Sequence, residues 1–178
     1  MTEQAETDLY VSWSEYYQLI ERLAVQIYDS DWPFHSILCL ARGGLRVGDI
    51  LSRIFDVPLA VLAASSYGGD RQRGQVCFAE RLTMARPPLA SNVLIVDDLV
   101  DSGMTLAATI PWLQNNHQID PEYCRTAVLW YKQVSCLQPD YYVEYLPTNP
   151  WIHQPFEAYE NLSKEDLISR YKLQDSML

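Results

Sequence analysis

Three carboxylates and a small-residue turn stand together in residues 93–105, VLIVDDLVDSGMT. Asp97 and Asp98 follow the branched aliphatic run 93–96 directly, and Asp101 precedes Ser102, Gly103, Met104 and Thr105. A short apolar run that ends abruptly in charge reads as a buried strand delivering its end to the rim of a sheet. At the carboxyl end of a parallel strand, helix N-termini and free backbone N–H groups converge, and open α/β sheets bind ligands there. The amides of residues 102–105 and the hydroxyls of Ser102 and Thr105 suit a phosphate. The carboxylates would repel that phosphate, so they face sugar hydroxyls, a Mg2+ ion or a proton to be removed. One aspartate in such a place is as easily a helix cap; three within five residues, followed by S-G-x-T, exceed what capping uses. The stretch is neither a dinucleotide fingerprint nor a Walker loop, because the chain has no G-x-G-x-x-G and no G-K-[ST]. On chemistry alone, an acidic Mg2+ site of the receiver or phosphatase kind competes with a sugar-phosphate site.

The elements that must position these residues are legible on both sides. Ser12 with Glu15 makes a capping box, and Tyr16, Leu19, Ile20, Leu23, Ala24 and Ile27 recur at helical spacing, predicting a helix that ends within residues 29–33. Residues 36–41 read as a strand, Arg42-Gly43-Gly44 as a tight turn, and Leu45, Ile50, Leu51, Ile54 and Phe55 as the apolar positions of a second helix. A further strand at 58–63 completes an alternation that implies a parallel α/β sheet. Residues 65–91 lose all periodicity and are glycine-rich and polar, which suits a flexible lid carrying an exposed hairpin at 75–82. Beyond the acidic loop come a helix at 105–115, kinked by Pro111, a loop at 115–123, and strands at 125–131 and 141–145. Pro147, Pro150 and Pro155 frame an irregular segment holding Trp151, and a last helix starts at Ser163, capped with Asp166 and burying Leu167, Ile168 and Tyr171. The expected organisation is one domain over 1–178, with a loose arm at 1–9, the lid at 65–91, a small hood at 146–160 and a C-terminal helix at 161–178.

Composition narrows the partners. A chain of 178 residues, 48% apolar, holds one sizeable core. Its net charge of -10 argues against a nucleic-acid or membrane surface as partner, since both reward basic patches. An anionic small molecule remains compatible if its site gathers the few cations locally. Arg42 beside two glycines, Arg71 and Arg73 in the lid, and Lys132 at a strand end are the candidates, although each alone also reads as a solvated surface charge. Cys39, Cys77, Cys124 and Cys136 are scattered singly and suggest reduced thiols. The N-terminus MTEQAETD is acidic rather than signal-like, and no apolar run approaches the roughly 20 residues that span a bilayer, so a soluble, cytoplasmic protein is expected.

The motif VLIVDDLVDSGMT resembles the phosphoribosyl-pyrophosphate (PRPP) binding motif of the type I phosphoribosyltransferases, and the likeness extends over residues 8–158 in matching order. Ala41-Arg42-Gly43-Gly44-Leu45 is similar to the pyrophosphate loop of the bacterial xanthine-guanine enzymes, and Ser65-Ser66-Tyr67 to the start of their catalytic loop. Lys132, with the segment WIHQPFE at 151–157, resembles their purine pocket. The resemblance implies the type I phosphoribosyltransferase fold: a mostly parallel twisted sheet with flanking helices, a flexible lid loop and a small C-terminal hood. It implies a pentosyltransferase of purine salvage that moves 5-phosphoribosyl from PRPP to a 6-oxopurine (xanthine, guanine or hypoxanthine) with Mg2+, in a homo-oligomer. Asp97 and Asp98 would face the ribose hydroxyls, directly or through Mg2+, and Ser102, Gly103, Met104 and Thr105 would hold the 5-phosphate. Asp101 would accept the purine proton. Arg42, Gly43, Ser66, Tyr67 and Arg71 would bind pyrophosphate, while Lys132, Trp151 and Ile152 would bind the base. His153 stands where an acid is usual, Phe156 where a tryptophan is, and Met104 where a small residue is, which leaves the choice of purine open. A PRPP-sensing regulator without turnover, and a transferase for another nucleobase, are the alternatives; the chain shows neither the basic face nor the appended nucleic-acid module that the regulator would favour.

Overall fold

The computed structural model describes residues 8–66, 76–85, 87–89 and 91–175. The chain forms two compact units, one made of the chain up to Tyr17 together with everything from Pro150 onward, the other of Gln18–Asn149.

The larger unit is built on a mixed, mainly parallel sheet. Strand β2 (Ser36–Ala41) lies between β3 (Leu59–Ser66) and β6 (Val93–Val96), parallel to both. Strand β8 (Cys124–Lys132) continues the sheet beyond β6 and also pairs in parallel with β7 (Leu99–Val100) and β9 (Tyr141–Leu146). All four residues of β6 are buried, as are five of the six in β2. Such strands, covered on both faces, read as continuous apolar runs rather than alternating ones. Leu38, Leu40, Leu62, Val93, Ile95 and Val128 join Leu106 and Leu113 in one core cluster.

Helices connect these strands. Helix α1 (Trp13–Asp29) starts at the expected capping box: Ser12 N–H and Oγ donate to Glu15 Oε2 at 2.8 and 2.6 Å, and Glu15 N–H donates back to Ser12 Oγ at 3.2 Å. Helix α2 (Gly44–Phe55) buries Gly44, Val47, Gly48 and Leu51, whereas Leu45 and Ile54 are exposed. Of the expected apolar face, Leu51 is buried and Ile50 and Phe55 are half-buried, but Leu45 and Ile54 are not covered; two glycines share the packed face instead, and a Cβ on Gly48 would stand 2.6 Å from Cys39 Cβ. Helix α3 (Met104–His117) runs through Pro111 as one element and continues past 115. A single 3-10 turn, Pro121–Tyr123, occupies part of the expected loop.

The expected hairpin at 75–82 is also corrected. Strands β4 (Val76–Phe78) and β5 (Thr83–Met84) do not pair with each other; each lies antiparallel on β3. Residues 67–75 of the expected lid, including Tyr67, Arg71 and Arg73, lie outside the described residues.

In the smaller unit, β1 (Leu9–Tyr10) pairs in parallel with β10 (Ile152–His153), so Leu9 is part of a strand rather than of a loose arm. Helix α4 (Lys164–Asp175) begins where Ser163 predicts, with Asp166 N–H donating to Ser163 Oγ at 3.0 Å. Leu167, Ile168 and Tyr171 are 38%, 52% and 62% exposed, so α4 does not bury the residues expected of it. No helix among the described residues is long and apolar enough to cross a membrane.

Candidate active site

The acidic loop leaves the sheet at the carboxyl end of β6, as its sequence implies. Asp97 N–H donates to Ala127 O at 3.2 Å, and Asp98 O accepts Leu129 N–H at 2.9 Å and Trp130 N–H at 3.3 Å. The backbone of both acids is thus stitched to β8. Their side chains fold back on the local chain: Asp98 N–H donates to Asp97 Oδ1 at 2.9 Å, and Leu99 N–H to Asp98 Oδ1 at 2.8 Å. Asp98 is buried, with 9% of its surface exposed. Burial and the neighbouring Asp98 carboxylate push the Asp97 carboxyl well above the usual carboxylate range, against the pull of the Asp98 and Gly44 N–H groups.

The Arg42-Gly43-Gly44 turn lies directly on this pair. A Cβ at Gly43 would stand 2.7 Å from Asp98 Cγ and 2.8 Å from Asp97 Oδ1, so only glycine permits the approach. The turn begins with a cis peptide at Ala41–Arg42, and Arg42 itself is exposed. The ends of β2 and β6 therefore bring the expected pyrophosphate loop and the expected ribose acids together.

Asp101 goes elsewhere. Its Oδ1 lies 3.4 Å from Lys132 Nζ, at the end of β8; the lysine side chain is 7% exposed and the aspartate 60%. Lys132 is thus a buried lysine with a carboxylate partner, unlike the bland strand-end surface residue that its position also suggested.

Ser102, Gly103, Met104 and Thr105 form the entry to α3. Gly103 is left-handed (φ 79°), where a side chain would be strained, and Ala107 N–H donates to its carbonyl at 3.0 Å. Ser102 and Met104 are exposed, Gly103 is buried and Thr105 is half-buried. The loop rests on the turn after β8, where Cys136 N–H donates to Ser102 O at 2.9 Å. Sequence reasoning missed this support, a backbone contact made by residues 133–137, QVSCL, which carry no motif.

Of the remaining expected residues, Ser66 is the last residue of β3. Trp151 and Ile152 belong to the smaller unit. Trp151 is 60% exposed and its Nε1–H donates to Glu157 Oε1 at 2.7 Å, while Ile152 is buried. The carbonyls of Trp151 and His153 accept Leu9 N–H (2.8 Å) and Val11 N–H (3.0 Å), so among these residues only Ile152 O points to the other edge of β10. His153 stacks on Tyr10 at 4.3 Å and lies 3.0 Å from Asp8 Oδ2 and 2.9 Å from Glu157 Oε2. Those carboxylates push its pKa above the ordinary imidazole value, Asp8 foremost. A cavity of about 580 Å³ in this unit is lined by Tyr10, Glu15, His153, Gln154 and Glu157 among others, and not by Trp151 or Ile152.

This arrangement matches known proteins. Residues 10–161 match the phosphoribosyl transferase domain family. The chain is 26% identical over 153 residues to a xanthine-guanine phosphoribosyltransferase of Idiomarina loihiensis, covering 85% of this chain and 88% of that protein. It is 32% identical over 100 residues to a xanthine-guanine phosphoribosyltransferase of Gluconobacter oxydans, 53% of this chain and 56% of that one. Among solved structures, a purine phosphoribosyltransferase from Pyrococcus horikoshii is similar with a TM-score of 0.65 at 28% identity, over 88% of this chain and 99% of the other. With a family match spanning most of its length and the acidic loop, glycine turn and buried lysine at the carboxyl ends of the parallel strands β6, β2 and β8, the chain belongs to the phosphoribosyl transferase family of pentosyltransferases.

Proposed function

We propose that the protein transfers 5-phosphoribosyl from PRPP to a ring nitrogen of a 6-oxopurine, with Mg2+, releasing pyrophosphate. The observation that carries this reading is the separation of the three acids. Asp97 and Asp98 lie beneath the glycine turn, while Asp101 turns to the buried Lys132. Sugar and base chemistry thereby have different carboxylates. The names of the relatives support the purine.

Each step has a residue. The amides and hydroxyls at Ser102, Gly103, Met104 and Thr105 receive the 5-phosphate at the start of α3. The bond from the anomeric carbon to pyrophosphate oxygen breaks ahead of attack by the purine nitrogen, and Arg42 with the Gly43 N–H receives the departing charge. Positive charge on the sugar is stabilised by the acids at the rim. The purine N–H proton passes to Asp101 as the new carbon–nitrogen bond forms. Lys132 donates to the 6-oxygen; a 6-amino base would set an N–H donor against that ammonium in place of an acceptor, which discriminates strongly.

Two adjacent carboxylates, one held above its usual pKa by burial and by the other's charge, suit a divalent cation, and Asp97 and Asp98 are the residues that would hold it. No group of three potential ligands exists among the described residues, so such an ion would share its coordination with substrate oxygens, the usual habit of Mg2+. When bound it neutralises charge on the leaving pyrophosphate.

The test is release of pyrophosphate from PRPP and Mg2+ with each nucleobase in turn, alongside calorimetric binding of PRPP. Asp101→Asn is expected to lower kcat by about 100-fold or more while leaving PRPP affinity near the parent's. Tight PRPP binding with no turnover on any base would instead support a sensing role.

A further inference from the structure

We propose that the turn at 133–137 is a brace joining the phosphate loop to the base-recognising lysine, and that Ser135 is its positioning residue. The proposal rests on the phosphoribosyl-transfer reading and extends it to a residue that touches no substrate.

The turn begins where β8 ends. Ser135 N–H donates to Lys132 O at 3.1 Å, closing a tight turn on the lysine itself, and Gln133 N–H donates to Leu146 O at 2.9 Å, fixing its start to β9. Ser135 Oγ then makes two bonds to one residue: it accepts Leu137 N–H at 3.1 Å and donates to Leu137 O at 2.7 Å. A serine hydroxyl used in this way substitutes for a backbone bond and fixes the path of residues 135–137. That path presents Cys136 N–H to Ser102 O at 2.9 Å.

The same turn forms the wall behind Gly103. A Cβ on Gly103 would collide with Ser135 Oγ and stand 3.0 Å from Leu137 N and 3.3 Å from Cys136 N. The left-handed Gly103 that starts α3 is thus seated on the hydroxyl that shapes the turn. One half-buried serine therefore touches both ends of the brace: its hydroxyl shapes the turn on which the phosphate loop rests, and its N–H holds the carbonyl of Lys132. In the substrate these are the two ends, 5-phosphate and base, whose separation fixes the anomeric carbon between them. A displacement of about 1 Å at either end is enough to lower the rate by orders of magnitude.

The experiment compares the full-length parent with Ser135→Ala and Ser135→Thr. Ribose 5-phosphate binding is measured by calorimetry, which needs neither base nor turnover. Steady-state kinetics then give KM for PRPP and the ratio of kcat/KM for hypoxanthine over adenine. For Ser135→Ala the expectation is ribose 5-phosphate affinity weakened about tenfold, the scale of one lost neutral hydrogen bond, with KM for PRPP raised and the hypoxanthine preference reduced. Ser135→Thr keeps the hydroxyl and is expected to restore both. A purely structural serine would lower the amount of active protein and leave the affinity and the base ratio unchanged; that result overturns the brace. Should Ser135→Ala fail to fold, Ser135→Cys, which keeps the shape and weakens the hydrogen bonds, is read by the same criteria. If the parent turns over no base, the functional reading fails, but the ribose 5-phosphate comparison still decides whether Ser135 holds the phosphate loop. Parent and variant binding that ligand equally would refute the proposal.

Discussion

Replacing Gly43 by alanine tests the packing of the glycine turn on the acid pair. The added methyl would lie 2.7 Å from Asp98 Cγ and 2.8 Å from Asp97 Oδ1, closer than carbon atoms approach one another or an oxygen, so something must move by several tenths of an ångström or more. The acids cannot yield cheaply. Each carboxylate accepts a backbone N–H at 2.8–2.9 Å, and Asp98 O is held by two residues of β8. The turn must move instead, and it carries Arg42. Overpacking of this kind costs about 1–3 kcal/mol, a measurable shift in a urea melt. If the turn receives pyrophosphate as proposed, a displacement near 1 Å there should lower kcat/KM for PRPP by about 100-fold. Gly48→Ala is the control: its methyl meets Cys39 Cβ at 2.6 Å, on the packed face of α2 away from the acids, so stability falls and KM for PRPP stays. A Gly43→Ala protein with parental stability and parental kcat/KM would refute the close approach.

Three further outcomes are expected. Lys132→Met keeps the length of a 7% exposed side chain and removes its ammonium, so discrimination between 6-oxo and 6-amino purines should fall by about tenfold or more while PRPP affinity stays, read from kcat/KM with hypoxanthine and adenine. The raised Asp97 pKa means that its contribution to stability is full below the ordinary carboxylate pKa and lost as pH rises through the folded value; Asp97→Asn should therefore raise the melting temperature of the ligand-free protein at neutral pH in a chelator, while weakening PRPP binding. For His153, raised by Asp8 and Glu157, the stabilisation is likewise full below the ordinary imidazole pKa and lost as pH climbs through the folded one; exchange of the Leu9 and Val11 amides, corrected for intrinsic rates, should quicken as pH rises through that folded value, and His153→Gln should remove the dependence.

What was legible in the chain depended on which interaction fixed each part. The run 93–96 and the acids after it are read from sequence because a doubly covered strand must be apolar throughout and its end must carry the charge. The capping boxes at Ser12 and Ser163 are local bonds between residues three apart, and both appear in the fold. The face of α2 was misread because Gly44 and Gly48, which add nothing to an apolar count, are what lets that helix lie against Cys39 and Val96. Strands β4 and β5 are only three and two residues long, too short for their own pattern to choose a partner, and the edge of β3 decides for both. Ser135 was invisible for a different reason. It acts through the backbone of its own turn on a loop distant in sequence, and side-chain spacing carries no record of such a contact.

The acid pair also bears on why the sequence alone left its role open. Placing Asp97 and Asp98 side by side, with one of them well buried, opposes folding, and the raised ionisation of Asp97 is the mark of that opposition. Natural chains retain such a violation of their own stability rules chiefly at functional sites. The backbone bonds of the two carboxylates are local rather than helix caps: each accepts the N–H of the residue that follows it. Asp101 lies apart from that crowding, solvent-exposed and with a lysine opposite. In a chain of net charge -10, an anionic ligand at this rim gains little from the protein at large, and the local order of charge decides where each part of it can lie. On the proposed reading, phosphate would be repelled by the pair and received at the start of α3. A sugar or a cation is the chemistry that two crowded carboxylates under a glycine turn can accept.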